Sequence, residues 1–273
     1  MCEPTISHLE VVFYMVQSFL QATAWAMKPP APYGPFHLIF TFFGVSTSIL
    51  LARRLASKES RQTDLLLFLC SLILALTETY KQLFIYYIEN NGHYDWWYFQ
   101  FQLCSIPMYL GLGIPFVPSK LKNSFYSFIQ DFGLLGGIMA LAEPSGLMHP
   151  YWTMTVHGFL WHFNLIFMGL ICAFYNLKTE TPKSYLHTIP LFLFCTAIAT
   201  AVNVLSHPYG NADMFYISPY YPNGQIVFHQ ISLVIGTFAG NCLYLASVLL
   251  GGFIIHISCL EIGQHYFTKI SKF

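Results

Sequence analysis

Cys104 stands in the run Phe99-Gln-Phe-Gln-Leu-Cys-Ser-Ile-Pro-Met-Tyr109, with Gln102 and Ser105 beside it and Pro107 three residues on. A thiol among polar atoms inside an apolar run is a candidate nucleophile. In apolar surroundings it is inert unless a base or a positive charge favours the thiolate, and a histidine within hydrogen-bond reach would supply that base. Pro107 has no N–H to give the carbonyl of Leu103, and its ring pushes that carbonyl aside. The sequence therefore predicts a bent helix and a freed acceptor one residue from the sulfur. The plain alternative is that Cys104 is a small hydrophobe packed in a helix.

The elements that must hold this group in place are apolar. Of 273 residues, 55% are hydrophobic and 9% charged, and the mean hydropathy is +0.53, so there are too few charges to clothe a soluble globule. The composition points to an all-α polytopic bundle in a bilayer. Seven cysteines, at 2, 70, 104, 172, 195, 242 and 259, show no CxxC spacing, which argues against a disulfide framework and a metal site. Twelve Lys plus Arg balance twelve Asp plus Glu, and no basic cluster with interleaved aromatics favours nucleic acid.

Seven apolar runs lie at about 36–52, 64–88, 98–118, 123–142, 151–175, 185–206 and 227–250, each near the 17–25 residues that cross hydrocarbon. Before them, Leu9, Val12, Phe13, Val16, Phe19 and Leu20 recur at helical spacing opposite Glu10, Tyr14, Gln17 and Gln21. Residues 8–27 thus read as an interfacial helix of one integral membrane domain spanning 1–273, without the basic start of a signal peptide. Arg53, Arg54, Lys58 and Arg61 follow the first run, Lys120 and Lys122 the third, Lys178 and Lys183 the fifth, and Lys269 and Lys272 the seventh. The intervening loops 89–97, 143–150 and 207–226 hold no Lys or Arg, so seven spans with the N-terminus outside satisfy the rule that basic loops stay cytoplasmic. Gly251-Gly252 reads as a break, with 253–267 left either as a continuation or as a second interfacial segment.

Polar residues inside the runs are functional candidates, because they are costly in lipid. Counted along the helices, most lie in the outer half: Glu78 and Lys81 one turn apart in span two, Gln102 and Cys104 in span three, His157 and His162 in span five, Asn203 and His207 at the end of span six, and His229 at the start of span seven. Asp131 is nearer the middle of span four, where a neutral or paired state is expected. Each has a bland reading: an ion pair joining helices for Glu78 and Lys81, interfacial positions for His207 and His229, packing histidines in span five. Five helices with polar groups at one depth nevertheless point to a cavity opening to the outer leaflet.

Four segments carry a resemblance: Gln-Leu-Cys104, Val156-His-Gly-Phe-Leu-Trp-His162, Asn203 followed by Gly210-Asn-Ala-Asp-Met-Phe-Tyr216 and Pro219, and the glycine-rich stretch 133–144 ending at Pro144. They resemble segments of the YwaF-like bacterial integral membrane proteins, whose animal relative is regarded as a phospholipid acyltransferase. Gln102 stands where many members have histidine, and Ala212-Asp213-Met214 where they have Asn-Tyr-Met. The resemblance covers most of 36–250. It implies a multi-pass protein of the bacterial plasma membrane, Cys104 as nucleophile with a span-five histidine as base, membrane phospholipids as partners, and no cofactor.

Such chemistry is physically coherent. Cys104 lies roughly 9 Å inside its span, near the level of phospholipid ester carbonyls, and Gln102 or Asn203 could donate to an oxyanion. Depth favours His157 and family spacing favours His162; the two are about 140° apart on a helix, so one of them is expected to face Cys104. An alternative is a small-solute or ion transporter with Glu78 and Lys81 as a gating pair, although no inverted repeat is evident. Gly236-Thr-Phe-Ala-Gly240 permits close helix approach. Packing within one chain is the preferred use, and with it a monomer.

Overall fold

The computed structural model describes residues 8–57, 59–176 and 180–270. Lys58, Lys178 and Lys272 of the basic loops lie outside the described residues. Among the described residues ten α-helices follow in order: α1 His8–Ala22, α2 Pro35–Leu55, α3 Ser60–Phe84, α4 Ile106–Gly113, α5 Ser119–Phe128, α6 Leu134–Ala142, α7 Trp152–Asn176, α8 Ile189–Ser206, α9 Ile226–Ile235 and α10 Thr237–Ile270. Single π turns, Ile85–Glu89 and Ile129–Gly133, lengthen α3 and fuse α5 to α6. Six of the resulting helices are long and apolar enough to cross a membrane: Pro35–Leu55, Ser60–Glu89, Ser119–Ala142, Trp152–Asn176, Pro182–Ser206 and Thr237–Ile262. The chain is therefore an all-helical bundle of the multi-pass type.

α7 is the axis of the bundle. It packs against α2, α3, α5 and α6, and it buries Phe159, Leu165, Met168 and Cys172 completely. α1 lies across one end, where Leu20 packs with Phe84 and Met154 and the Thr23 hydroxyl meets the Tyr80 hydroxyl at 2.6 Å. An isolated bridge between Ala26 and Tyr151 ties the segment after α1 to the start of α7.

The third and seventh runs depart from expectation. The third is short: α4 with its flanking 3-10 turns covers Leu103–Phe116, too little for a regular crossing. It still traverses the bundle lengthwise, because Gln100 bonds Lys81 near one end of α3 and Lys122 bonds Asp64 near the other. Leu103–Ser105 form a 3-10 turn ahead of α4, and Pro107 occupies its first turn, where a missing N–H costs nothing. No helix precedes the proline for it to bend. The Leu103 carbonyl is not free either, since it accepts the Ile106 N–H.

The seventh run, 227–250, covers two elements rather than one. Gly236, at φ +89, reverses the chain between α9 and α10, a backbone conformation that a side chain would strain. Phe228 then meets Tyr244 at 5.1 Å between ring centroids, and a Cβ on Gly240 would fall 2.1 Å from Ser232 Oγ. The pattern Gly-x-x-x-Gly thus makes a tight helical hairpin within one chain. Gly251-Gly252 does not break α10, which runs straight through. It lets Leu135 and Phe132 come close instead.

Candidate functional site

Segment 99–105 is laid against the end of α3 by amide side chains. Gln82 Nε2 donates to the Tyr98 carbonyl at 2.6 Å and to Glu78 Oε1 at 2.7 Å, and Tyr109 OH donates to the Gln100 carbonyl at 2.5 Å. Lys81 Nζ sits 2.9 Å from Glu78 Oε1, so the expected ion pair exists, with Glu78 buried. A single α-helical turn separates the two, which is why they can pair without distorting α3.

Around this seam lies a cavity of about 190 Å³. Glu78 and Lys81 of α3, Gln102 and Cys104, and both His157 and His162 of α7 line it. Six of the ten polar residues singled out in the sequence therefore share one space. The cavity follows α7 far enough to take in both histidines. Cys104 is seated between α6 and α7, with Gly136 so close that a Cβ there would lie 3.7 Å from the cysteine Cβ, and with its carbonyl accepting Trp161 Nε1–H at 3.3 Å.

The histidines differ in what holds them. His162 Nδ1 lies 2.7 Å from the Gly158 carbonyl. A carbonyl only accepts, so Nδ1 carries the hydrogen and Nε2 carries the lone pair, the tautomer required of a base. His157 Nε2 is buried with no partner. Glu78 Oε2 is likewise buried and unpartnered, so the cavity has polar groups left over for a guest.

Asn203 does not reach this space; it holds the loop that forms part of the wall. Its Nδ2 donates to the Met214 carbonyl at 3.0 Å and its Oδ1 accepts the Met214 N–H at 2.6 Å. Gln102 makes the same kind of clasp one residue to either side, giving Nε2–H to the Asp213 carbonyl at 2.9 Å and accepting the Phe215 N–H at 2.8 Å. Each amide thus gives one N–H and its oxygen to backbone, and Gln102 lines the cavity while Asn203 does not. Between them Phe215 and Tyr216 are held at φ +58 and +56, a left-handed pair that is costly for non-glycine residues, and Tyr216 thereby joins the cavity wall. Burial pushes the Tyr216 phenol up to about 12 and the Asp213 carboxyl up to about 6, the latter opposed by the Ser218 N–H that it accepts at 2.7 Å.

The remaining polar expectations resolve elsewhere. His207 stacks on Tyr220 at 3.6 Å, and His229 Nδ1 meets the Asn223 carbonyl. Asp131 is paired as expected: His256 Nδ1 lies 3.1 Å from both its oxygens and 3.4 Å from Glu180. Gln100, Ser105, Trp161 and Tyr216 are lining residues that the sequence did not single out for roles. The alternation Phe99-Gln-Phe-Gln102 was a signal of extended chain there, since period-two spacing is a strand-like pattern rather than a helical one. Among the described residues no cluster of His, Cys, Asp and Glu could hold a metal ion. Compared with known proteins, the chain matches no family model, no curated protein and no solved structure.

Proposed function

We propose that this chain is a YwaF-like membrane acyltransferase that moves acyl groups from phospholipid esters through a thioester on Cys104. The observation that carries the reading is the one cavity shared by the Cys104 thiol and the histidines of α7. His162 Nε2 takes the thiol proton, the sulfur attacks the ester carbonyl, and the lysolipid leaves as its alkoxide oxygen receives that proton. An acceptor hydroxyl, deprotonated by the same nitrogen, then attacks the thioester and returns the proton to sulfur. His157, Glu78 and Lys81 line the remaining wall as groups for the acceptor or the developing charge. In this reading the protein crosses the plasma membrane seven times with its N-terminus outside, α4 serves as the shortened third crossing, and the cavity opens to the outer leaflet.

Transport through the same cavity is the second reading, favoured by the two short apolar helices Leu103–Phe116 and Ile226–Ile235, which have the broken character of transporter cores. Incubation of purified protein with a phospholipid bearing an alkyne-tagged acyl chain separates the two. Acyl transfer requires a hydroxylamine-labile label on the wild type that Cys104→Ala abolishes. Unlabelled protein, or label that survives Cys104→Ala, leaves transport as the better account.

A further inference from the structure

We propose that Glu78 makes the cavity a site for an uncharged diol, holding one hydroxyl of the guest on its second carboxylate oxygen while the neighbouring hydroxyl reacts. The carboxylate is clamped at one oxygen only. Oε1 accepts from Gln82 Nε2 at 2.7 Å and lies 2.9 Å from Lys81 Nζ, two groups one turn further along α3. Both clamps are tied in turn to the segment that leads to Cys104: Lys81 donates to Gln100 Oε1 at 3.1 Å, and Gln82 to the Tyr98 carbonyl at 2.6 Å. Oε2 is buried with no hydrogen-bond partner among the described residues, on a residue that is 5% exposed and lines the cavity. A carboxylate oxygen left bare in this way is costly, and it can only accept. The guest must bring the hydrogen.

The charge of that guest follows from the wall. Among the described residues Glu78 and Lys81 are the only Asp, Glu, Lys or Arg that line the cavity, and as a pair they cancel. An ammonium group on Oε2 would stand beside Lys81 with no second carboxylate to balance it, which favours a hydroxyl. At about 190 Å³ the space is smaller than the roughly 300 Å³ at which pockets begin to enclose drug-sized ligands, so it takes the polar end of a lipid and leaves the chain outside. A hydroxyl carries one hydrogen. The hydroxyl that attacks the thioester gives its hydrogen to His162 Nε2, so the hydrogen on Glu78 Oε2 belongs to a second hydroxyl of the same guest. A glycerol end supplies such a pair.

The proposal deepens the acyl-transfer reading and takes the attacking hydroxyl from it, but the site can be read by binding alone. Full-length protein in detergent, with no acyl donor present, is titrated with octylglycerol, which has two free hydroxyls, and with its analogue methylated on the middle hydroxyl. Native mass spectrometry follows the bound fraction. The wild type should bind the diol about tenfold more tightly than the ether. Glu78→Gln puts an N–H donor where Oε2 stood, which suits the ether oxygen, so the preference should vanish. Because that change leaves Lys81 without its partner, the pair Glu78→Gln with Lys81→Met is measured beside it and should lose the preference too. Equal binding of the two lipids by the wild type overturns the proposal. So does a preference that persists in both variants, which would be exclusion by size, and so does tighter binding of the analogue with an amine at the middle carbon. Displacement of the diol by free glycerol at equal concentration would assign the site to a soluble polyol, and resistance to it, to a lipid-borne one. If Glu78 governs the preference while no acyl label is ever trapped on Cys104, the diol site stands and the acyl-transfer reading falls; label without any preference ends the diol site and leaves that reading.

Discussion

At the scale of single residues, the two histidines should separate in experiment. His162 is tied within its own helix to the Gly158 carbonyl and His157 across to the Thr77 backbone of α3, so His162→Gln should abolish acyl labelling of Cys104 while His157→Gln reduces turnover about tenfold with labelling intact. Burst measurements of labelling and release would distinguish them. Asp213 provides a pH test. Its carboxyl is raised to about 6 in the fold from an ordinary value near 3.8, so the folded state holds the proton more tightly than the unfolded chain. Its contribution to stability is full below pH 3.8 and is lost as pH climbs through about 6. Asp213→Asn should therefore flatten the fall in thermal midpoint between pH 4 and pH 6. The polar residues of the site were legible because lipid makes every buried charge or amide conspicuous. Their structural duties were not: that Gln102 clasps a loop 111 residues away leaves no trace in local spacing, and neither does the grip of Asn203 on the same loop.

At the scale of elements, the hairpin of α9 and α10 turns on a contact measured in tenths of an ångström. Gly240→Ile would drive a side chain into Ser232, so it should lower the thermal midpoint by several degrees without changing the oligomeric state seen by light scattering in detergent. Loss of a dimer with an unchanged midpoint would count against packing within one chain. Five of the seven apolar runs became single long helices near the expected positions, since hydropathy over about 20 residues is a strong signal. The other two did not. Hydropathy is blind to a reversal at Gly236, because apolar residues flank it on both sides, and it cannot see that Phe99–Gln102 are extended and leave α4 only a short helix.

At the scale of the whole molecule, the basic loops and the cavity should lie on opposite sides of the membrane. Single cysteines in a cysteine-free variant should react with an impermeant maleimide on intact cells when placed in 207–226, and should not when placed in 54–57; the reverse pattern would turn the cavity inward and remove the outer leaflet as its source of lipid. Far from the cavity, His256 has a different part to play. Its Nε2 hydrogen goes to the Thr181 carbonyl at 3.0 Å, so one proton lies between Nδ1 and Asp131, and Glu180 stands 3.4 Å away. Both Asp131 and His256 are 0% exposed. Synthesis runs from the N-terminus, so Asp131 and Glu180 are made well before the helix that brings their partner. Until α10 docks, the nascent bundle carries two carboxyl groups in an apolar interior without the imidazole that faces them in the fold. α10 thus brings a partner to groups laid down earlier, and His256→Leu should shorten cellular half-life far more than it alters the cavity, with Asp131→Asn restoring part of the loss.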